Sequence, residues 1–104
     1  MDWKSLESKQ LIAAILALRS TEEVRCFLRD LLTKSELKEF AGRLKTAEML
    51  SENIPYSDIK KATGFSSTTI ARVSKWLQKG KGGYKTIIPR LHHGALISRG
   101  RGAR

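Results

Sequence analysis

Apolar residues recur along the chain with helical spacing, and no segment alternates between apolar and polar residues for long enough to indicate a strand. A first helix is predicted over residues 3–19, with Asp2 as its N-cap. From Leu11 onward this helix is apolar almost all round, which indicates burial on more than one side. The pattern therefore predicts an all-α protein.

Two capping boxes predict the starts of the next two helices. Ser20 and Glu23 have the required spacing, and so do Thr33 and Glu36. In each pair the hydroxyl can accept a backbone N–H three residues later, while the carboxylate reaches back. The third helix is predicted to end near Ser51.

Proline, serine and glycine delimit two shorter helices. Pro55 precedes a fourth helix over residues 56–63, and Gly64 can end it in the left-handed conformation. Ser66 is the predicted N-cap of a fifth helix, which stops before Gly80. These signals predict a pair of short helices joined by a tight turn.

The helical pattern fades after the fifth helix. Residues 81–88 are predicted to pack as an extended or weakly helical cap, which Pro89 ends. Residues 89–104 contain arginines and glycines without any acid, so a disordered basic tail is expected. The predicted organisation is dimerisation helices over 1–52, a helix-turn-helix region with its cap over 53–88, and the tail.

Length and composition narrow the class of protein. With 104 residues the chain has little room for a substrate pocket on a separate scaffold, so we do not expect an enzyme. The single cysteine, Cys26, excludes an intrachain disulfide framework. The longest apolar run, residues 11–18, is about half of the roughly 20 residues that cross a bilayer. We therefore expect a cytoplasmic protein that needs no membrane, metal or cofactor.

The positive charge is concentrated in the second half of the chain. The net charge is +10, yet residues 1–52 hold nine basic and nine acidic side chains. Residues 53–104 hold eleven basic side chains and one acidic side chain, Asp58. Such asymmetry is typical of a protein with a polyanionic partner, although a solvated basic face has the same composition.

The fourth and fifth helices have the spacing of a helix-turn-helix. Ile59 is followed five residues later by Gly64, and Ile70 and Val73 then lie on one face of the fifth helix. Two short helices that cross steeply need such apolar wedges and a glycine at the turn. Unrelated helix pairs also meet this spacing by chance.

The opposite face of the fifth helix is polar and basic. Residues 66–69 are all serine or threonine, and Arg72 and Lys75 follow at helical spacing. Short hydroxyl side chains at a helix start, followed by long cations, suit a helix that enters the major groove end-on. The alternatives are capping for Ser66 and a solvated face for the two cations.

The chain resembles the Trp repressor superfamily, and most closely its TrpR-like YerC/YecD branch. The resemblance lies in EEVRCFLRDLLT at 22–33, SELKEFAGRLKTAEML at 35–50, PYSDIKKATGFSSTTIARVSKWL at 55–77 and GKGGYK at 80–85. It implies an intertwined helical homodimer that binds operator DNA through paired helix-turn-helix units. A first helix that is apolar on several faces agrees, because a small chain cannot cover it alone.

The resemblance also implies which residues contact DNA. They lie at the end of the fourth helix and at the start of the fifth: Lys60, Ser67, Thr68, Thr69, Ala71 and Arg72. To these we add Lys61 and Lys75 from their charge and spacing alone.

The corepressor positions of the Trp repressor are only partly retained. That protein holds tryptophan with a threonine, two arginines, a glycine and a serine. Thr33, Arg43 and Arg72 match the first three, whereas Val73 and Trp76 replace the glycine and the serine. Both replacements add bulk, so we expect a filled remnant of an effector pocket, with Arg43 in an ion pair or a dimer contact. Free tryptophan is not expected to be an effector.

Two classes of function remain. The first is a homodimeric, sequence-specific regulator of transcription, similar to a repressor, that binds double-stranded DNA and is associated with the nucleoid. The alternative is a protein-interaction or RNA-associated adaptor that keeps the helix-turn-helix as a scaffold. An enzyme is the third choice, because no acid–base pair or metal cluster converges in the sequence.

Overall fold

The computed structural model describes the backbone of residues 1–101 and the side chains of residues 1–92. Within residues 1–101 six α-helices follow one another: α1 Leu6–Leu16, α2 Thr21–Leu31, α3 Lys34–Ser51, α4 Tyr56–Thr63, α5 Ser67–Lys79 and α6 Gly83–Arg101. This range of the backbone contains no strand, which confirms the predicted all-α fold. None of the described helices is both long enough and apolar enough to cross a membrane.

The chain forms two compact units, Met1–Leu37 and Lys38–Arg104. In the first unit, α1 begins later than predicted, because Ser5 is its N-cap and accepts a hydrogen bond from the Ser8 N–H at 3.2 Å. The prediction of Asp2 as the cap is therefore wrong. Asp2 instead accepts the Lys4 N–H at 2.9 Å, in the turn before the helix.

One of the two predicted capping boxes is complete, and the other is half formed. Thr33 accepts the Glu36 N–H at 3.1 Å, and the Glu36 carboxylate accepts the Thr33 N–H at 2.9 Å. Ser20 likewise accepts the Glu23 N–H at 3.1 Å. The Glu23 carboxylate, however, accepts the N–H of the preceding residue, Arg19, at 2.8 Å. The starts of α2 and α3 were therefore readable from local sequence.

The core of the second unit is built from α3, α5 and α6. Ala47, Val73 and Ile88 are buried together, one from each helix. Leu44 and Tyr84 pack against this cluster from its edge. The inward face of α5 is therefore held in place by both α3 and α6, which leaves its other face for other contacts.

Helix α6 differs most from the prediction. Pro89 lacks an N–H and its ring crowds the preceding turn, so a helix end was expected there. Instead α6 continues through Pro89 to Arg101, so the prediction that Pro89 ends the C-terminal cap is wrong. The disordered basic tail over residues 89–104 stays a prediction. Tertiary contacts on both sides of the proline favour the helix. Before it, Ile88 is packed into the core and is 4% exposed. After it, His92 Nε2 lies 3.3 Å from Glu48 Oε2.

The structure leaves two other parts of the predicted organisation open. The last residues of the basic tail, 102–104, lie outside the described residues. The predicted boundary between the dimerisation helices and the helix-turn-helix region, at residue 52, stays a prediction. The division into two compact units falls inside α3 and reflects packing, not function.

Candidate nucleic-acid interface

Helices α4 and α5 form the predicted helix-turn-helix. Ile59 on α4 and Ile70 on α5 are both fully buried. Between the helices Gly64 has a φ of 75° and a ψ of 5°, and its N–H donates to the Lys60 carbonyl at 2.8 Å. A residue with a side chain would be strained in this left-handed conformation. The glycine therefore sets the turn that aims α5.

The turn is reinforced by a threonine hydroxyl. Thr63 Oγ1 donates to the Ile59 carbonyl at 2.8 Å and accepts the Phe65 N–H at 3.1 Å. This hydroxyl therefore links the last turn of α4 to the segment that enters α5. It provides a partner for a backbone N–H that no helix would satisfy.

The N-terminus of α5 presents hydroxyl groups and backbone N–H groups. Ser66 is the N-cap, and its Oγ accepts the Thr69 N–H at 3.2 Å, which confirms the capping role. The N–H groups of Ser67 and Thr68 lie in the first turn, where an α-helix offers them no acceptor. Both of these residues are exposed, whereas Thr69 is half-buried. Such an end favours an anionic oxygen.

The predicted DNA-contacting cations are exposed and unpaired. Lys60 and Lys61 lie in the last turn of α4, and Arg72 and Lys75 lie on α5, where Ala71 is exposed too. Across the side chains of residues 1–92, none of these four cations lies within ion-pair distance of a carboxylate. Their charges are therefore available to a polyanion.

A cavity of about 230 Å³ lies between α3 and α5. Its lining residues are Glu39, Arg43, Thr69, Arg72, Val73, Trp76 and Tyr84. The structure thus brings Arg43, Arg72, Val73 and Trp76 together, as the corepressor resemblance implied. The expectation that Val73 and Trp76 fill this space is wrong, because the Trp76 side chain is 62% exposed and forms a wall.

Arg43 and Thr33, two residues of the predicted pocket, make contacts within the chain. Arg43 Nε lies 3.2 Å from Glu39 Oε2, and its guanidinium lies 5.8 Å from the centre of the Phe40 ring. Arg43 is therefore an ion-pairing residue, one of the two roles expected for it. Thr33 belongs to the Met1–Leu37 unit, where its hydroxyl caps α3.

Two lining residues of the cavity were not predicted from the sequence. Glu39 lies four residues before Arg43, and that spacing on a helix is a readable signal for an ion pair. Tyr84 reaches the cavity because α6 folds back onto the core. No local pattern reports such a long-range contact, so this residue could not have been found from the sequence.

These features define a small all-α protein with an exposed helix-turn-helix. The family model of the Trp repressor protein matches residues 6–92, and the chain belongs to this family. Its relatives include the uncharacterized protein YerC of Bacillus subtilis strain 168, which is 39% identical over 85 residues. That alignment covers 82% of this chain and 82% of YerC.

Solved structures have the same fold. The crystal structure of a TrpR-like protein from Eubacterium eligens ATCC 27750 matches with a TM-score of 0.83 and 37% identity, covering 86% of this chain and 93% of that one. A crystal structure of a protein from Staphylococcus aureus matches with a TM-score of 0.82 and 33% identity, covering 88% and 95%. The likeness therefore extends over both compact units of the fold.

Proposed function

We propose that this protein is a sequence-specific, double-stranded DNA-binding regulator of transcription that acts as a homodimer. The N-terminus of α5 would enter the major groove, with Thr68 and its neighbours at base edges and Arg72 reaching a base or a phosphate. Lys60, Lys61 and Lys75 would pair with phosphates. Binding to DNA would associate the protein with the nucleoid.

The observation that carries this proposal is the division of α5 into two faces. Ile70 and Val73 are buried, at 0% and 5% exposure, so the helix is fixed by its inner face. The opposite face presents exposed hydroxyls and unpaired cations within the described residues. A helix that is fixed on one side and cationic on the other is suited to reading a groove. Membership of the Trp repressor protein family supports the same proposal.

The homodimer is supported by the Met1–Leu37 unit. Every leucine, isoleucine, valine and phenylalanine in it is exposed or half-buried, and Leu6 and Leu16 are 78% and 79% exposed. Large apolar side chains that are exposed together favour an interaction site. A second copy would cover it and would supply the second α5 for the next major groove, roughly 34 Å away.

The test is selection of bound duplexes from a random DNA library by the full-length protein. A regulator of this kind should enrich a palindromic motif whose half-sites lie about one helical turn apart. We expect each dimer to neutralise about four to six phosphates. A plot of the logarithm of affinity against the logarithm of salt concentration should then have a slope of about −4 to −5.

Other outcomes would favour the adaptor. Gel shifts should include structured RNA and random duplex DNA beside the selected duplex. Equal binding to all three, or enrichment of no motif, would contradict sequence-specific regulation. A flat salt dependence would contradict the assignment of the α4 and α5 cations to phosphates.

A further inference from the structure

A second basic surface lies at the C-terminal end of α5. Lys75, Trp76, Lys79, Gly80 and Lys81 line one open groove of about 280 Å³, which we call the tryptophan–lysine groove. The three lysines are exposed, and the Trp76 side chain is 62% exposed. No carboxylate lines the groove, and none of its lysines is ion-paired within residues 1–92.

The proposed duplex contact does not account for this groove. Thr68 and Lys79 are eleven residues apart on α5, which corresponds to about 16 Å along the helix axis. In end-on docking the N-terminal residues of the helix contact the bases, and the C-terminal end points away. Lys79 and Lys81 therefore lie beyond the part of the helix that would grip the duplex.

The chemistry of the groove selects a particular ligand. The indole of Trp76 offers a flat aromatic face, on which a planar ring can stack. Lys75 and Lys79 are one helical turn apart, so their ammonium groups can meet neighbouring negative charges on the ligand. A planar ring that carries adjacent anionic groups is a nucleobase with its phosphates. In a duplex both faces of each base are already stacked, so only an unpaired base can stack on the indole.

We propose that the tryptophan–lysine groove binds an unpaired nucleobase together with its adjoining phosphates. Trp76 stacks on the base, and Lys75, Lys79 and Lys81 pair with the phosphates. The site shares Lys75 with the proposed duplex contact, whereas Trp76, Lys79 and Lys81 lie outside that contact. The ligand is either a segment of single-stranded nucleic acid or a free nucleotide, since both carry this chemistry.

Fluorescence titration tests the proposal on the full chain. The sequence holds two tryptophans, so a Trp3→Phe background leaves Trp76 as the only indole. The probes are an oligothymidylate of about twelve nucleotides and, in a second arm, dTTP. Each should quench Trp76 saturably if it stacks. If the oligonucleotide binds more tightly than dTTP, the ligand is single-stranded nucleic acid. If the two bind with equal affinity, the ligand is a free nucleotide.

Substitutions then separate stacking from charge. Trp76→Leu should weaken binding of the labelled oligonucleotide at least about tenfold, measured by anisotropy. The double variant Lys79→Gln/Lys81→Gln should reduce the salt slope from about −2 to about −0.7, since two of three phosphate contacts are lost. The matched control, Lys38→Gln/Lys45→Gln, removes the same charge from exposed positions of α3 and should change neither quantity.

Further measurements distinguish this site from the proposed duplex site. Lys79→Gln/Lys81→Gln should keep affinity for a selected duplex within about twofold, and Arg72→Ala should lose duplex affinity while keeping the oligonucleotide. Absence of quenching by both probes would overturn the proposal. The proposal would also be overturned if Trp3→Leu weakened binding of the oligonucleotide as much as Trp76→Leu does. Protection of Trp76 from quenching by acrylamide in the free protein would overturn it too, because a second copy would then cover the groove. Circular dichroism checks that each variant is folded.

Discussion

The ring of Phe65 lies directly against the backbone of Gly42. A Cβ atom built on Gly42 would lie 2.5 Å from the Phe65 Cζ, closer than real Cβ contacts allow. Phe65 follows the turn glycine of the helix-turn-helix, whereas Gly42 lies inside α3. This contact therefore sets the distance between the helix-turn-helix and α3.

Gly42→Ala should destabilise the protein although alanine is the better helix former. The propensity gain is about 1 kcal/mol, whereas crowding a packed ring typically costs about 1–3 kcal/mol. We expect a net loss of about 1 kcal/mol in the free energy of unfolding, measured by urea denaturation.

The same substitution should change sign when the ring is removed. In a Phe65→Val background, Gly42→Ala should stabilise the protein by up to about 1 kcal/mol, since only the propensity term is left. An equal effect of Gly42→Ala in both backgrounds would show that the contact with Phe65 carries no energy.

A buried hydroxyl without a partner provides a second prediction. Thr46 is fully buried, and among the described residues its Oγ1 has no hydrogen-bond partner. An unsatisfied buried polar group costs about 1–3 kcal/mol. Thr46→Val keeps the shape and removes the hydroxyl, so it should raise the free energy of unfolding by about 1 kcal/mol.

Thr63 is the matched control for this substitution. Its hydroxyl makes two hydrogen bonds at the turn, to the Ile59 carbonyl and from the Phe65 N–H. Thr63→Val should therefore lower the free energy of unfolding by about 1–2 kcal/mol, because the Phe65 N–H loses its acceptor. If Thr46→Val and Thr63→Val both destabilise the protein, the hydroxyl of Thr46 is satisfied in solution.

The exposed apolar side chains of α1 allow a test of the proposed homodimer. Leu16→Glu places a charge at a position that is 79% exposed in one chain and covered in the proposed dimer. It should weaken dimerisation at least about tenfold, measured by sedimentation equilibrium. Gln10→Glu adds a charge at another exposed position of the same helix and serves as its control. A protein that sediments as a monomer throughout would contradict the proposed assembly.

Arg72 and Lys75 should differ in what they contribute to the proposed binding of DNA. Arg72 lies nearer the start of α5, so Arg72→Ala should cost about 1–3 kcal/mol per half-site of the selected duplex and relax specificity at one position of each half-site. Lys75→Ala removes one phosphate contact from each subunit of the proposed dimer, so it should weaken all duplexes about equally and reduce the salt slope by about two. Gel shifts on selected and random duplexes measure both effects. Identical profiles would assign both side chains to the phosphate backbone.

Free tryptophan should not act as an effector. Val73 and Trp76 stand where the Trp repressor has a glycine and a serine, and both line the cavity between α3 and α5. The cavity still holds about 230 Å³, so the prediction rests on the bulk that these two side chains add to its walls and not on a filled space. Isothermal titration calorimetry should show no saturable heat. Saturable binding at micromolar concentration would overturn this prediction.

The sequence determined the local features of the candidate site because their signals lie within a few residues of one another. The Thr33 and Ser66 caps, Gly64 at the turn and the bounds of α4 follow from hydrogen-bonding side chains and backbone preferences. The spacing of Ile59 and Ile70 identified the two residues that are fully buried in the helix-turn-helix.

Tertiary structure decided the features that depend on distant parts of the chain. Phe65 packs on Gly42, Tyr84 reaches the cavity, and α6 continues through Pro89. Each outcome depends on which helix surfaces meet, and the energy of that packing can exceed a local preference such as the helix-breaking tendency of proline. Periodicity states which face of a helix is apolar, whereas only the assembled core determines what covers it.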